Sequence, residues 1–254
     1  MIIGAQMFTV HDYTKTLEGF SESLKKIADI GYKSVQVSGT CEYDPHWLKD
    51  ELAKNGLTCD LTHTNQTLIL EDPQKVIDNH NIFDCKYIGI GCMPDIQNNT
   101  PETWKKFVND YKASAEKFAN AGKYFMYHNH NFEFIEKDGM IAMDYFASSF
   151  APDIMGFTLD THWVKAAGHD PVEWLEKLAG RTPCVHFKDL ITMPDGKFRY
   201  APVGTGELDF DAIIKTCDKN KVEYAFVEQD DCYDKDPFEC LKISFDYLHS
   251  LGLC

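Results

Sequence analysis

The chain has 254 residues, 44% of them hydrophobic, and a formal charge of −15 from 25 basic and 40 acidic side chains. That length suits two small domains or one large barrel with a substantial core. So acidic a chain excludes a nucleic-acid partner, which needs clustered Lys and Arg, and disfavours an anionic membrane surface.

In chain order, strand-like runs fall near 2–9, 33–38, 58–63, 86–91, 123–129, 155–160, 183–187 and 224–229. Helical patterns alternate with them near 15–30, 45–55, 73–83, 101–121, 142–149, 171–179, 209–219 and 237–251. Helix starts are marked by Asp44-Pro45, Asp72-Pro73, Thr100-Pro101, Asp170-Pro171 and Asp236-Pro237. In each, the first residue can cap orphan N–H groups and proline suits the first turn. Glu173 and Glu239 are placed to complete capping boxes. Helix stops are marked by Gly31, Gly56, Gly122, Gly180 and Gly252, because glycine accepts the left-handed conformation beyond a last turn. Eight strand–helix units in this length predict a single (β/α)8 TIM barrel spanning 1–254. A doubly wound open sheet is the alternative, but no strand leads into a G-x-G-x-x-G turn. The longest irregular stretch, 188–208, is expected to be a functional loop.

Nine cysteines without a C-x-x-C spacing read as buried, reduced thiols. The start, MIIGAQMFTV, lacks a basic n-region, and no apolar run nears the roughly 20 residues of a membrane span. The expected setting is the cytoplasm.

In such a barrel the active site lies at the C-terminal ends of the strands. There the sequence places His63, then His128 and His130, Glu133, Asp160 with Trp163, His186 with Lys188, and finally Glu228. Mixed imidazoles and carboxylates can hold Zn, Mn, Co or Fe. A carboxylate-rich set leans toward Mn, with Mg, Co or Zn as alternatives. Buried carboxylates such as Asp160 and Glu228 need a partner. Lys188 reads either as an ion pair with Asp189 or as a group that polarises a substrate oxygen. His63, His128, His130, Trp163 and Lys188 are the candidate substrate contacts. The glycine-containing segment Pro202–Asp209 only loosely resembles a phosphate loop, and a tight turn with Asp209 capping the next helix is the preferred reading.

The pieces YHNHNFEF (127–134), LDTHWVKAAGHDP (159–171), VHFKD (185–189), VGTGELDF (203–210) and VEQDDCYDKDPFECLKISFDYL (227–248) resemble the xylose-isomerase-like TIM barrel family. That family takes in sugar phosphate isomerases/epimerases, inosose dehydratases and the AP endonuclease family 2 type. The resemblance implies a metal held by an acid of the fifth strand with Asp160, His186 and Glu228. Relatives place the first acid within the strand, near Tyr127-His128, whereas the first carboxylate here is Glu133. Either Glu133 reaches back, or His128 takes the position and leaves Glu133 free. The endonuclease branch, with more histidines and a basic DNA face, does not fit this charge.

The expected activity is isomerisation or epimerisation of a small keto-sugar or polyol. A carboxylate, Glu228 or Glu133, would abstract a proton to give a metal-stabilised enediolate. The alternatives are a lyase that dehydrates a keto-inositol or cleaves a 3-keto-glycoside, and a non-catalytic sugar-binding barrel. A homo-oligomer is compatible with the sequence.

Overall fold

The Asp-Pro and Thr-Pro pairs act as predicted. In the computed structural model, which describes residues 1–253, Asp44, Asp72, Thr100, Asp170 and Asp236 each cap a helix that begins with proline. The capping boxes expected at Glu173 and Glu239 do not form. Asp170 accepts from Val172 N, and Asp236 from Phe238 N and Glu239 N, with no reciprocal bond. A two-way box closes instead between Thr100 and Thr103. Gly31 and Gly56 end their helices at φ of 127° and 65°, where a side chain would be strained.

The barrel strands are β1 (Ile2–Gln6), β2 (Ser34–Val37), β3 (Thr58–His63), β4 (Tyr87–Ile90), β5 (Tyr124–His128), β6 (Met155–Asp160), β7 (Cys184–Phe187) and β10 (Tyr224–Val227). All neighbours pair in parallel, and β1 pairs with both β2 and β10, which closes the barrel. Strands β8 (Asp189–Thr192) and β9 (Phe198–Ala201) form a separate antiparallel hairpin inside the stretch predicted to be irregular. The helices are α1 (Leu17–Ile30), α2 (Pro45–Asn55), α3 (Gln66–Glu71), α4 (Pro73–Ile82), α5 (Pro101–Asn120), α6 (Ala142–Ser149), α7 (Thr161–Ala166), α8 (Pro171–Lys177), α9 (Phe210–Lys219) and α10 (Pro237–Ser250). The short helices α3 and α7 were not expected. Strand β1 also stops three residues early, because the chain turns into a 3-10 segment at Met7–Tyr13.

Two packing layers follow from the period-two alternation of strand side chains. One face of the strands packs outward on the helices in one large core. Inside the barrel, Leu61, Tyr87, Met126, Cys184 and Phe226 form a separate buried plug. Leu61, Met126 and Phe226 each contribute about 1.5–3 kcal/mol by leaving water. Two residues further along the same strands stand His63, His128, His186 and Glu228. The alternation that fills the lower barrel with apolar side chains therefore puts a polar layer above it, at the C-terminal mouth.

The thiols depart partly from expectation. Among the described residues all cysteines are free; Cys59, Cys85, Cys184, Cys217 and Cys240 are buried, while Cys41, Cys92 and Cys232 are only partly covered. Cys254 lies outside the described residues. Among the described residues no helix is long and apolar enough to cross a membrane.

Candidate metal centre

Four buried side chains converge at the barrel mouth: His128, Asp160, His186 and Glu228 each offer a donor atom, and these atoms lie within 4.8 Å of one another. Adjacent strands deliver them. The registers pair Asp160 with His186 and His186 with Phe226, two residues before Glu228. Of the two fifth-strand candidates, His128 is the one that joins this cluster.

Glu133, expected as the fourth ligand or as a base, stands outside it. Its carboxylate accepts from Tyr127 Oη at 2.8 Å and from His130 N at 2.7 Å. A 3-10 turn at Phe132–Phe134 folds the side chain back behind the strand, where it is fully buried. Burial pushes its pKa up to about 8, although both hydrogen bonds oppose the rise. The sequence could not show this fold-back, because the distance of Glu133 from the site depends on the path of the chain after His128.

The donor set fits a divalent cation. His128 Nδ1 faces Gly91 O at 3.0 Å. A carbonyl can only accept, so Nδ1 donates there and Nε2 is the nitrogen that faces the cluster, 3.3 Å from Asp160 Oδ2. Asp160 caps α7 with Oδ1, bonded to Trp163 N at 2.9 Å, and aims Oδ2 at the cluster. His186 Nδ1 lies 2.8 Å from Glu228 Oε2 but lacks the alignment of a hydrogen bond. Carboxylate oxygens that converge in a buried site need positive charge among them, and imidazole nitrogens beside them suit a shared cation.

One cation already belongs to the chain. Lys188, 1% exposed, places Nζ 2.5 Å from Asp230, 3.4 Å from Glu228 and 3.5 Å from Asp160. Burial would lower its pKa, but Glu228, Asp160 and Asp230 outweigh it, and the ammonium is held charged. In turn Asp160 and Glu228 are held ionised against their burial, by Lys188 first. Burial likewise opposes the charge on His186, yet Glu228 and Asp160 raise its pKa to about 9. The pairing of Lys188 with Asp189 is not made. Asp189 instead accepts backbone N–H from Leu190, Gly204, Gly206 and Leu208. The glycine-containing turn therefore wraps a carboxylate of its own chain, and its N–H groups are not open to a phosphate. Asp209 caps α9 as expected, accepting from Ala212 N at 3.0 Å.

The remaining predicted residues ring the cluster. His63 sits 5.2 Å from the His128 ring and 5.8 Å from the His186 ring; its Nδ1 is bonded to Ser38 and its Nε2 is buried without a partner. The His130 ring meets that of His128 at 4.8 Å and that of Trp163 at 5.5 Å. His130 Nδ1 and Trp163 Nε1 are also buried and unpartnered. Burial pushes the His130 pKa down to about 3, so this imidazole is neutral. Phe187 faces the other way and packs on Phe210.

Several residues around the cluster were missed in the sequence: Gln36, which meets His186, Asn129, which accepts from Asp160 N at 3.0 Å, Asp230 and Tyr200. The signal for Gln36 was present, since a glutamine in the middle of a four-residue strand, Ser34–Val37, points either inward or into the helix layer. Tyr200 comes from the hairpin, stacks on His162 at 4.6 Å and stands 5.2 Å from Lys188 Nζ. A cavity of about 650 Å³ adjoins the mouth between the β2–α2 loop and α4, with His63 on its wall. Another, of about 490 Å³, opens at the opposite end beside Lys86 and Tyr124, away from every residue of the cluster.

A family model described as the xylose isomerase-like TIM barrel matches residues 24–231. The chain belongs to this family. Solved structures share the fold of this xylose isomerase-like barrel at low identity. A sugar phosphate isomerase/epimerase from Parabacteroides distasonis is 21% identical with a TM-score of 0.80, over 98% of this chain and 93% of that one. An L-ribulose 3-epimerase is 16% identical with a TM-score of 0.76, over 100% and 95%. The probable 3-DHS dehydratase AsbF from Bacillus anthracis is 15% identical with a TM-score of 0.75, over 98% and 99%. No curated protein matches the sequence.

Proposed function

We propose that this xylose isomerase-like barrel is a divalent-metal-dependent isomerase or epimerase of a small keto-sugar or polyol. The observation that carries this reading is the convergence of His128, Asp160, His186 and Glu228 on one buried point. Those four residues would hold the ion, with Mn the first expectation for a mixed nitrogen and oxygen set. When bound, the ion supplies Lewis-acid polarisation of a substrate carbonyl and the neighbouring hydroxyl oxygen.

The chain's own groups do the rest. Glu228 is ionised and lies at the mouth, so its carboxylate is the base that takes the proton from the carbon beside the carbonyl. Lys188 Nζ, 3.4 Å from that carboxylate, offers its positive charge to the oxyanion that develops. Neutral His130, the indole N–H of Trp163 and the free Nε2 of His63 are unpartnered groups for sugar hydroxyls. The Trp163 ring can lie against an apolar sugar face. Glu133 does not reach the substrate; it holds His130 N and Tyr127 in place.

With Glu133 withdrawn, Glu228 is the carboxylate available as base. A lyase needs no second carboxylate, because the same proton abstraction followed by loss of a β-substituent requires one base. Dehydration of a keto-inositol or cleavage of a 3-keto-glycoside is therefore the second reading. The test is a screen of keto-sugars, keto-inositols and 3-keto-glycosides in deuterium oxide, using protein loaded with Mn. Deuterium appearing beside the carbonyl with no lost fragment identifies the isomerase or epimerase, and loss of water or an aglycone identifies the lyase. Full activity in Glu228→Gln would overturn the assignment of the base, and a protein that binds no divalent ion would overturn the metal reading.

A further inference from the structure

The two histidines of the cluster do not have their proton positions fixed in the same way. His128 is fixed by a carbonyl, which accepts only. His186 Nε2 instead meets the side-chain amide of Gln36, with Oε1 at 2.6 Å. Gln36 is fully buried, and 150 positions separate the two residues in sequence. It reaches His186 across the barrel, from the upper interior position of β2, two residues beyond Ser34.

We infer that Gln36 is a positioning residue which, by accepting the Nε2 proton of His186, leaves Nδ1 as the nitrogen that faces Asp160 and Glu228 and gives up its proton to a cation. The inference rests on the metal reading above for its consequence but not for the hydrogen bond itself. With Oε1 toward the ring, the proton on Nε2 is held, so the proton that leaves on ligation is the one on Nδ1, whose lone pair then faces the cluster. The opposite amide orientation would aim an N–H at Nε2, force the proton onto Nδ1 and block the cluster. Steric confinement also matters. The His186 ring lies 4.5 Å from that of His128 and 5.8 Å from that of His63, which limits its rotation. The choice between its two nitrogens then falls to the atom that meets Nε2. The remaining Gln36 Nε2 is buried and unpartnered, as is Nε2 of its register partner Gln6.

The test compares wild type, Gln36→Glu, which keeps an acceptor, and Gln36→Leu, which removes it. The first readout is the imidazole Nε2–H of His186 by nitrogen-15 NMR in metal-free protein. A slowly exchanging proton is expected in wild type and in the Glu variant, and its loss in the Leu variant. The second readout is Mn or Zn affinity by calorimetry. Affinity is expected to fall about 10- to 100-fold in Gln36→Leu and to stay within a few-fold in Gln36→Glu. Thermal melts show whether the Leu variant folds; if it does not, Gln36→Met replaces it. A His186 that lacks the Nε2 proton in wild type, or that ligates zinc through Nε2, overturns the inference. So does a Leu or Met variant that binds metal as tightly as wild type. If wild type binds no metal while the Nε2–H pattern is as expected, the positioning by Gln36 stands and the metal reading alone fails.

Discussion

Replacing Glu133 by Gln should stabilise the protein at neutral pH and flatten its stability against pH. The carboxyl is fully buried and its pKa is raised from an ordinary 4.5 to about 8. Between those values the unfolded chain has shed the proton that the folded chain keeps. The unfolded state then binds fewer protons, so stability falls as pH rises, by about 1.4 kcal/mol per pH step. At pH 7 the accumulated cost is about 3 kcal/mol, and it levels off above pH 8 at about 5 kcal/mol. A glutamine carries no such titration. Its oxygen can accept from His130 N, and its amide can donate to Tyr127 Oη. The assay is urea unfolding of both proteins from pH 5 to 9 with a chelator present. Other titrating groups are common to the two proteins, so the difference isolates Glu133. A gap that widens by about 3 kcal/mol between pH 5 and pH 8, in favour of the variant, is expected from that slope. Parallel curves would refute the reasoning: Glu133 would then ionise in the folded protein much as it does in the unfolded chain.

Asp160→Asn removes an ionised oxygen from the cluster and should weaken Mn binding by at least about a hundredfold in calorimetry, beyond what loss of a supporting contact costs. Lys188→Met should destabilise the metal-free protein by about 3–5 kcal/mol in denaturant melts, because it leaves buried carboxylates uncompensated. The same substitution should tighten metal binding, since the ammonium no longer competes for Asp160 and Glu228. Metal binding should also release a proton at pH 7. His186, its pKa raised to about 9, must lose a proton to ligate, so affinity should rise with pH up to that value. Calorimetry in buffers of different ionisation enthalpy measures that release.

Much of the fold was legible along the chain. Capping Asp or Thr before Pro, and Gly after the last turn, are local chemistry, so Asp44, Asp72, Thr100, Asp170 and Asp236 could be read one by one. Eight alternating units implied the barrel, and the barrel implied which strand ends meet. For that reason the sequence could place Asp160, His186 and Glu228 together at the barrel mouth, where the structure brings their donor atoms within 4.8 Å. Where chain path or long-range contact decided, the sequence was silent. Glu133 and His128 were both candidates until the 3-10 turn after His130 showed which side chain is folded away. Asp189 looked like the neighbour of Lys188, but alternation on the strand sends Lys188 to Asp230, Glu228 and Asp160, and Asp189 to the turn at Gly204–Leu208. Gln36 finds His186 only because the barrel closes and brings β2 across from β7. Local hydrogen-bonding and hydrophobic periodicity are properties of the chain. The proton position on a buried imidazole belongs to whichever distant atom packing sets against it.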